Sequence, residues 1–329
     1  MIKWEETSLR KPLTETQHTQ LKQPAPSHWV SAFNHIKRDR QLLLLFIPCI
    51  LFFAIFRYGP MYGLIIAFKD YDVWSGIIGS EWVGLEHFRN FFSSPDFLKL
   101  FKNTILLGFY SLLIGFPFPI IFAILLNEVR LLWFKKTIQT VSFLPSFLSI
   151  VIVSSMLIDF LSPGNGIIND IIAALGFEKI YFLVEPSWFR SVYIGSDIWQ
   201  QMGYESILYL AAIAGISPSL YEAAKVDGAT RWNRIRYITL PGLMPTILIL
   251  FIIKAGNMFR IGFEKILLIY NPMTYEVADV FSTYVYRQGL LQANYSYAAA
   301  VGLFEGIIAL IMLLIANLLS RRLGGKSLW

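Results

Sequence analysis

Charge, cysteine and histidine are all scarce in this 329-residue chain, and each shortage excludes something. A single cysteine, Cys49, rules out an intrachain disulfide and any cysteine-based metal cluster. The four histidines, His18, His28, His35 and His87, show neither ligand spacing nor a catalytic arrangement. Asp, Glu, Lys and Arg make up 15% of the residues, against about 25% in soluble globular domains. No nucleophile elbow occurs. Gly325-Lys326-Ser327 resembles only the end of a phosphate-binding loop, because the first glycine of that pattern would fall at Ser320. The expectation is a chain with no metal or cofactor of its own that is not itself an enzyme.

What the chain has instead is apolar sequence: 55% of its residues are hydrophobic and its mean hydropathy is +0.54. About 20 apolar residues span the ~30 Å hydrocarbon layer as a helix. Six such runs are present, at 41–68, 104–127, 137–161, 191–216, 243–270 and 296–319. Arg57-Tyr58-Gly59-Pro60 interrupts the first, predicting a kink or the outer end of its embedded part. The predicted fold class is an all-α membrane protein with six transmembrane helices. Its domains are a tail at 1–40, a six-span domain at 41–320 with an external segment at 69–101 and a loop at 217–241, and a second tail at 321–329.

The net charge of +6 is explained by where the charges lie. Seventeen of the 28 Lys and Arg residues fall in the N-terminal tail, 129–136, 217–241 and the C-terminus. The intervening segments 69–102, 162–190 and 272–295 hold seven. The positive-inside rule puts the first set, with both termini, in the cytoplasm. A topology signal of this kind makes nucleic acid an unneeded partner. The polar tail is too long to be a signal peptide, and no small-residue cleavage site follows His35 to Arg40.

One cytoplasmic segment is distinctive. Residues 222–241, EAAKVDGATRWNRIRYITLP, fit the spacing EAA-x3-G-x9-I-x-L-P at every fixed position. Ser217 is placed to cap a helix with Pro218 in its first turn, Ser219 and Glu222 offering a capping box as the alternative. Gly228 suits a left-handed residue ending that helix. A second short helix is expected from about Ala229 to Ile235. This segment resembles the cytoplasmic coupling loop, a helix–turn–helix, by which the membrane subunits of binding-protein-dependent ABC importers engage their ATPase. The resemblance implies ATPase-coupling roles for Glu222, Ala223, Ala224, Asp227 and Gly228.

Four further stretches, FRYGPMYGLIIAFKDYD (56–72), WVGLEHFRNFF (82–92), SFLPSFLSIVIVSSM (142–156) and SPGNGIINDIIAALG (162–176), look like the polysaccharide and complex-oligosaccharide branch of these importers. That branch implies a bacterial cytoplasmic (inner) membrane location and oligosaccharide import by alternating access. The cations Lys254, Arg260 and Lys265 on the fifth span make acidic polysaccharide fragments one option, although Glu205, Glu264 and Glu305 offset them nearly one for one. The branch also implies as partners a second permease subunit, two ATP-binding subunits carrying ATP and Mg, and an extracytoplasmic solute-binding protein. Outside the membrane, Trp74, Trp82, Phe88, Phe91 and Phe92 interleave with Glu81, Glu86 and Arg89. That pattern suits either reception of a binding protein or an aromatic belt at the headgroups.

Polar residues inside the spans are costly and so face protein or water. On the fourth span Asp197, Gln200, Gln201, Tyr204 and Glu205 share a ~140° arc at helical spacing. Lys254, Asn257, Met258, Glu264 and Lys265 share one of ~120° on the fifth, and Glu305 lies midway along the sixth. The candidate substrate path is Gln200, Gln201, Tyr204, Glu205, Lys254, Asn257 and Glu305, offering amides and carboxylates for hydroxyls and an aromatic face for stacking. The alternative is a Lys254–Glu305 ion pair with the amides bonded to neighbouring helices. Gly302-x-x-x-Gly306 is expected to serve close helix packing. An ion-driven secondary transporter using Glu305, or a permease of the same superfamily for a non-sugar solute, are the competing functions.

The orientation has a direct test. In a Cys49→Ala background, Lys225→Cys should react with a membrane-impermeant maleimide only from the cytoplasmic side, and Trp74→Cys only from the opposite side. Reversed labelling would refute the assignment.

Overall fold

A computed structural model describes residues 40–259 and 262–322; the two tails and Arg260 of the sequence reading lie wholly or mostly outside these. The chain divides into a unit ending at Met61 and a second from Tyr62 onward. In the first, α1 (Arg40–Phe53) passes into a π turn, Ala54–Tyr58, and a short helical turn, Gly59–Met61. Pro60 explains the wider turn. Its ring displaces the carbonyl of Phe56 and supplies no N–H to it, and the π turn absorbs the mismatch.

The second unit begins with a 3₁₀ segment, Tyr62–Phe68, and then two short strands, β1 (Lys69–Asp70) and β2 (Glu81–Trp82). They pair antiparallel, Lys69 opposite Trp82, around a small helix α2 (Gly76–Gly79), so the fold is not purely helical as expected. The Lys69 ammonium closes this hairpin by donating to the carbonyls of Ile77, Ile78 and Ser80 at 2.7, 3.2 and 3.1 Å. Asp72 accepts from the Ser75 hydroxyl and amide, which hold its carboxyl below the usual range. The helices α3 (Glu86–Ser93) and α4 (Pro95–Tyr110) follow, the latter capped by the Ser94 hydroxyl.

Six further elements carry the chain on: α5 (Pro117–Glu128), α6 (Leu132–Phe143), α7 (Ile150–Leu161), α8 (Ile167–Ala174), α9 (Pro186–Ala214) and α10 (Pro218–Val226). After α11 (Arg231–Arg234) come α12 (Leu240–Gly256), α13 (Phe263–Ile269), α14 (Tyr275–Ala278), α15 (Phe281–Tyr286) and α16 (Tyr295–Arg322). Among the described residues four helices are long and apolar enough to cross a membrane: Leu43–Phe68, Pro95–Glu128, Arg231–Gly256 and Tyr295–Leu318. Six result if two bent pairs each count as one, Leu132–Phe147 with Ile150–Leu161 and Pro186–Ala214 with Pro218–Val226, bent by 102° and 70°.

Two expected spans are thus not single rods. The third breaks at Leu148-Ser149, after Pro145, and the Ser149 hydroxyl caps the new helix by accepting from Ile152 N–H. The fifth stops at Gly256 and resumes at Phe263, so a helical arc cannot be carried from Lys254 to Lys265.

At the centre lies α9, 29 residues and about 43 Å long. It packs on α5, α6 and α12, while α16 packs on α12, α15 and the 3₁₀ segment. At one end of the bundle Phe91, Leu100, Phe281, Tyr284 and Val301 are buried together, and Phe97 and Phe304 pack on them edge to face. Phe91 is fully buried whereas Trp74 is 96% exposed, so the expected amphipathic outer element divides between core and surface. The same end is tied by polar links: Asn103 donates to the carbonyls of Glu276 and Asp279, and Arg190 donates to Asn103. Fully buried Asp279 accepts from Arg287 and Thr283, and the guanidinium lies over the rings of Tyr275 and Tyr284.

Close helix approach occurs at glycines other than those expected. A methyl at Gly203 would lie 2.0 Å from the Ser142 carbonyl oxygen, and one at Gly108 would lie 2.4 Å from Met258. A methyl at Gly306 would meet nothing within 4 Å and one at Gly302 only Val285, at 4.0 Å, so that pair makes space instead of contact. Gly203→Ala should therefore lower the thermal midpoint of the detergent-solubilised protein, by an amount equivalent to about 1–3 kcal/mol. Gly195→Ala, on the same helix with open space around it, should be neutral or slightly stabilising. Equal midpoints for the two would contradict this packing.

Candidate functional site

The loop after α9 is built as its residue types dictate. Ser217 occupies the N-cap position of α10 and Pro218 its first turn, but the Ser217 hydroxyl pairs with that of Ser219 at 2.7 Å instead of capping an amide. Because the helix already begins at Pro218, the alternative capping box is not formed. At the other end Gly228 takes φ +75°. Ala229 N–H donates to Ala224 O at 2.8 Å and Gly228 N–H to Lys225 O at 3.1 Å, the paired bonds of a Schellman stop. Thr230 then caps α11 by accepting from Asn233 N–H.

The second short helix does not end near Ile235 as expected. Arg231 to Gly256 forms one continuous helical rod through a π turn at Ile235–Thr239, two residues before Pro241. The Tyr221 hydroxyl bonds to Thr239 Oγ1 at 3.0 Å, which fastens α10 to the base of that rod. Glu222, Ala223, Asp227 and Gly228 are exposed and Ala224 is half-buried. Behind them a cavity of about 500 Å³ is lined by Glu128, Lys135, Tyr221, Glu222, Lys225 and Arg234. The arrangement is a protruding, hydrogen-bonded knob on the end of two long helices, a shape suited to passing a push along them.

A second cavity, of about 680 Å³, lies halfway along α9. Its walls come from the two helix breaks, at Ser146, Leu148 and Ile150 and at Gly262–Lys265, from Asp197, Gln200 and Gln201 on α9, and from Gly302, Glu305 and Gly306 on α16. The breaks supply free backbone groups: Leu148 O, left without a helical partner, accepts from Gln200 Nε2 at 3.2 Å.

Of the seven path candidates, this cavity brings together Gln200, Gln201 and Glu305. Tyr204, Glu205, Lys254 and Asn257 are not part of its lining. Tyr204 stacks on Phe143 with ring centroids 5.9 Å apart. Asn257, exposed, ends α12. Lys254 pairs with Glu205, whose two oxygens both lie 2.7 Å away, where the sequence had offered Glu305. Asp197 and Lys265 border the cavity and were not among the candidates. Their signal was present, a carboxylate and an ammonium on the polar arcs, but the break that sets Lys265 against α9 was not legible.

The Glu205–Lys254 pair links α9 to α12 with both side chains mostly shielded. Removing one charge leaves the other shielded and unpaired. Lys254→Met alone should therefore destabilise the purified protein more than the double variant Glu205→Gln/Lys254→Met, with a coupling of about 1–3 kcal/mol in a double-mutant cycle. Additive effects would show that the pair is not coupled.

Comparison with known proteins agrees with this architecture. The model of the family described as "Binding-protein-dependent transport system inner membrane component" matches residues 115–325. The chain is 45% identical over 292 residues to the polygalacturonan/rhamnogalacturonan transport system permease protein YteP of Bacillus subtilis, covering 89% of this chain and 91% of that protein. It also resembles a bacterial ABC transporter involved in the import of the acidic polysaccharide alginate: 47% identity, 89% of this chain and 99% of that one, TM-score 0.83. A bacterial alginate ABC transporter solved in complex with an alginate pentasaccharide-bound periplasmic protein gives 46% identity, 90% and 99% coverage and a TM-score of 0.84. On the family match and these identities, the chain belongs to the inner membrane components of binding-protein-dependent transport systems.

Proposed function

We propose that this chain is the membrane-spanning subunit of an ATP-driven importer that carries oligosaccharides, acidic polysaccharide fragments among them, across a bacterial cytoplasmic membrane. One observation carries the reading. Halfway along α9 the apolar helices form an open cavity of about 680 Å³ lined in part by amides and carboxylates, the groups that bind sugar hydroxyls. Support for the sugar comes from the relatives named for polygalacturonan and rhamnogalacturonan and for alginate. The periplasmic protein in the alginate complex supports an extracytoplasmic binding partner.

On this reading six spans cross the membrane with both termini inside, and a second permease completes the path. Two ATP-binding subunits, which carry ATP and Mg, grip the knob at Glu222, Ala223, Ala224, Asp227 and Gly228. Closure of the ATPases on ATP pushes α10. The Tyr221–Thr239 bond hands that movement to the rod beginning at Arg231, and α9 receives it through Ser217. Both reach the cavity region, so the two sides open in turn. Gln200, Gln201 and Glu305 touch the sugar, and Tyr204, Glu205, Lys254 and Asn257 join the path when the helices reorient. The chain itself holds no cofactor.

The test is purification of the tagged chain from its native host in mild detergent, with mass spectrometry of what accompanies it. An ATP-binding subunit and a second permease should be recovered. Gly228→Val forces a β-branched residue into a left-handed conformation at a cost of about 1–2 kcal/mol, and Glu222→Lys reverses the exposed charge. Both should abolish ATPase recovery and sugar-stimulated ATP hydrolysis while the chain stays folded. The chain recovered alone, under conditions that preserve known complexes, would overturn the importer reading.

A further inference from the structure

Three polar atoms on the wall of the middle cavity are buried without a hydrogen-bond partner among the described residues: Lys265 Nζ, Gln200 Oε1 and Ser282 Oγ. Lys265 is 2% exposed. Its ammonium lies 3.8 Å from Asp197 Oδ1, close enough for an ion pair but too far for a hydrogen bond, and 5.3 Å from the centre of the Tyr193 ring. An ammonium stripped of water and held by one long ion pair among the described residues is costly to bury, so its placement calls for a function. Its field falls on Asp197, which stands in front of it. That side chain is 45% exposed and faces the cavity, so the buried cation fixes a carboxylate whose lone pairs remain open.

Gln200 lies three residues further along α9, on the same face. Its Nε2 is tied to Leu148 O, and its Oε1 is a buried acceptor without a partner among the described residues. Glu264 and Glu305 also border the cavity, and the Gln201 amide and the Ser146 hydroxyl add donors to its wall. The hydroxyls of a sugar ring, each donor and acceptor at once, pair with both kinds of group.

We propose that Asp197 is a specificity-determining residue of the translocation cavity, accepting hydroxyls of a sugar ring, and that Lys265 is its positioning residue. This rests on the importer reading above. The residues are distinct from the seven path candidates, and the interaction belongs to the cavity in the state described here.

The experiment uses the complete complex in proteoliposomes, with its binding protein, and measures uptake and sugar-stimulated ATP hydrolysis. The probes are an alginate pentasaccharide, an oligogalacturonide, and analogues of each in which single ring hydroxyls are replaced by hydrogen. Asp197→Asn should raise KM for an intact sugar about tenfold, the worth of a hydrogen bond to a charged acceptor, with a smaller effect on kcat. For the analogue lacking the hydroxyl that Asp197 reads, wild type and variant should have the same KM. Lys265→Met should reproduce the rise, and Lys265→Arg should restore most of it. Equal losses on intact and deoxygenated sugars would make Asp197 merely structural and overturn the proposal, as would an unchanged KM. Asp197→Asn decides the matter even where Lys265→Met fails to assemble. A wild-type complex that imports neither sugar would instead overturn the importer reading, and this inference with it.

Discussion

Every backbone N–H and C=O within the hydrocarbon layer needs a partner, because lipid offers none and each unpaired group costs several kcal/mol. Unbroken helices meet that demand at once, yet this chain breaks two of its helical paths, at Leu148-Ser149 and between Gly256 and Phe263. Such breaks are tolerable only where the freed groups meet protein or a polar cavity. Both occur at the wall of the same cavity, and Leu148 O takes its hydrogen bond from the Gln200 side chain. The polar site is thus a consequence of how the backbone is satisfied. Once two helices are interrupted beside one another, amides and carboxylates are the side chains that the region can hold.

Three prolines are handled differently, by widening the helix without stopping it. Three π turns, Ala54–Tyr58, Ser111–Gly115 and Ile235–Thr239, each end two residues before a proline, Pro60, Pro117 and Pro241. The carbonyl that a proline leaves unpaired lies inside the wider turn each time. At Pro241 this has a mechanical consequence. The helix carries on from Arg231 to Gly256, so the knob at 218–228 is joined by Tyr221 to a rod that runs without interruption to Gly256, a short stretch before the second break. A proline that stopped the helix at 241 would have left a joint there instead of a continuous rod.

Features set by short-range chemistry were legible in the sequence. The apolar runs marked the helical regions, and Gly228 was placed at a left-handed helix stop because glycine alone adopts that geometry without strain. Features set by three-dimensional adjacency were not. Helical spacing put Lys254 and Lys265 on one arc, but the break after Gly256 sends Lys254 to Glu205 and Lys265 to Asp197. Gly302 and Gly306 carry the spacing of a packing motif, yet their missing side chains leave room at the cavity wall. Phe91 and Trp74 belong to one aromatic-rich run, and only the turn at Gly76–Gly79 and the cluster around Phe281 separate a core residue from a surface one.

The charge pattern of the cavity bears on how a transport site must differ from a storage site. A binding protein profits from matching every group on its ligand, whereas a conducting path must let the ligand leave, so its affinity has to stay modest. On the proposed reading, Asp197 offers acceptors to sugar hydroxyls from the cavity wall. Lys265 leaves those lone pairs open, because its ammonium sits behind Asp197. On that reading, hydroxyl recognition at this wall depends on a buried cation whose position follows from a break in the fifth helical path.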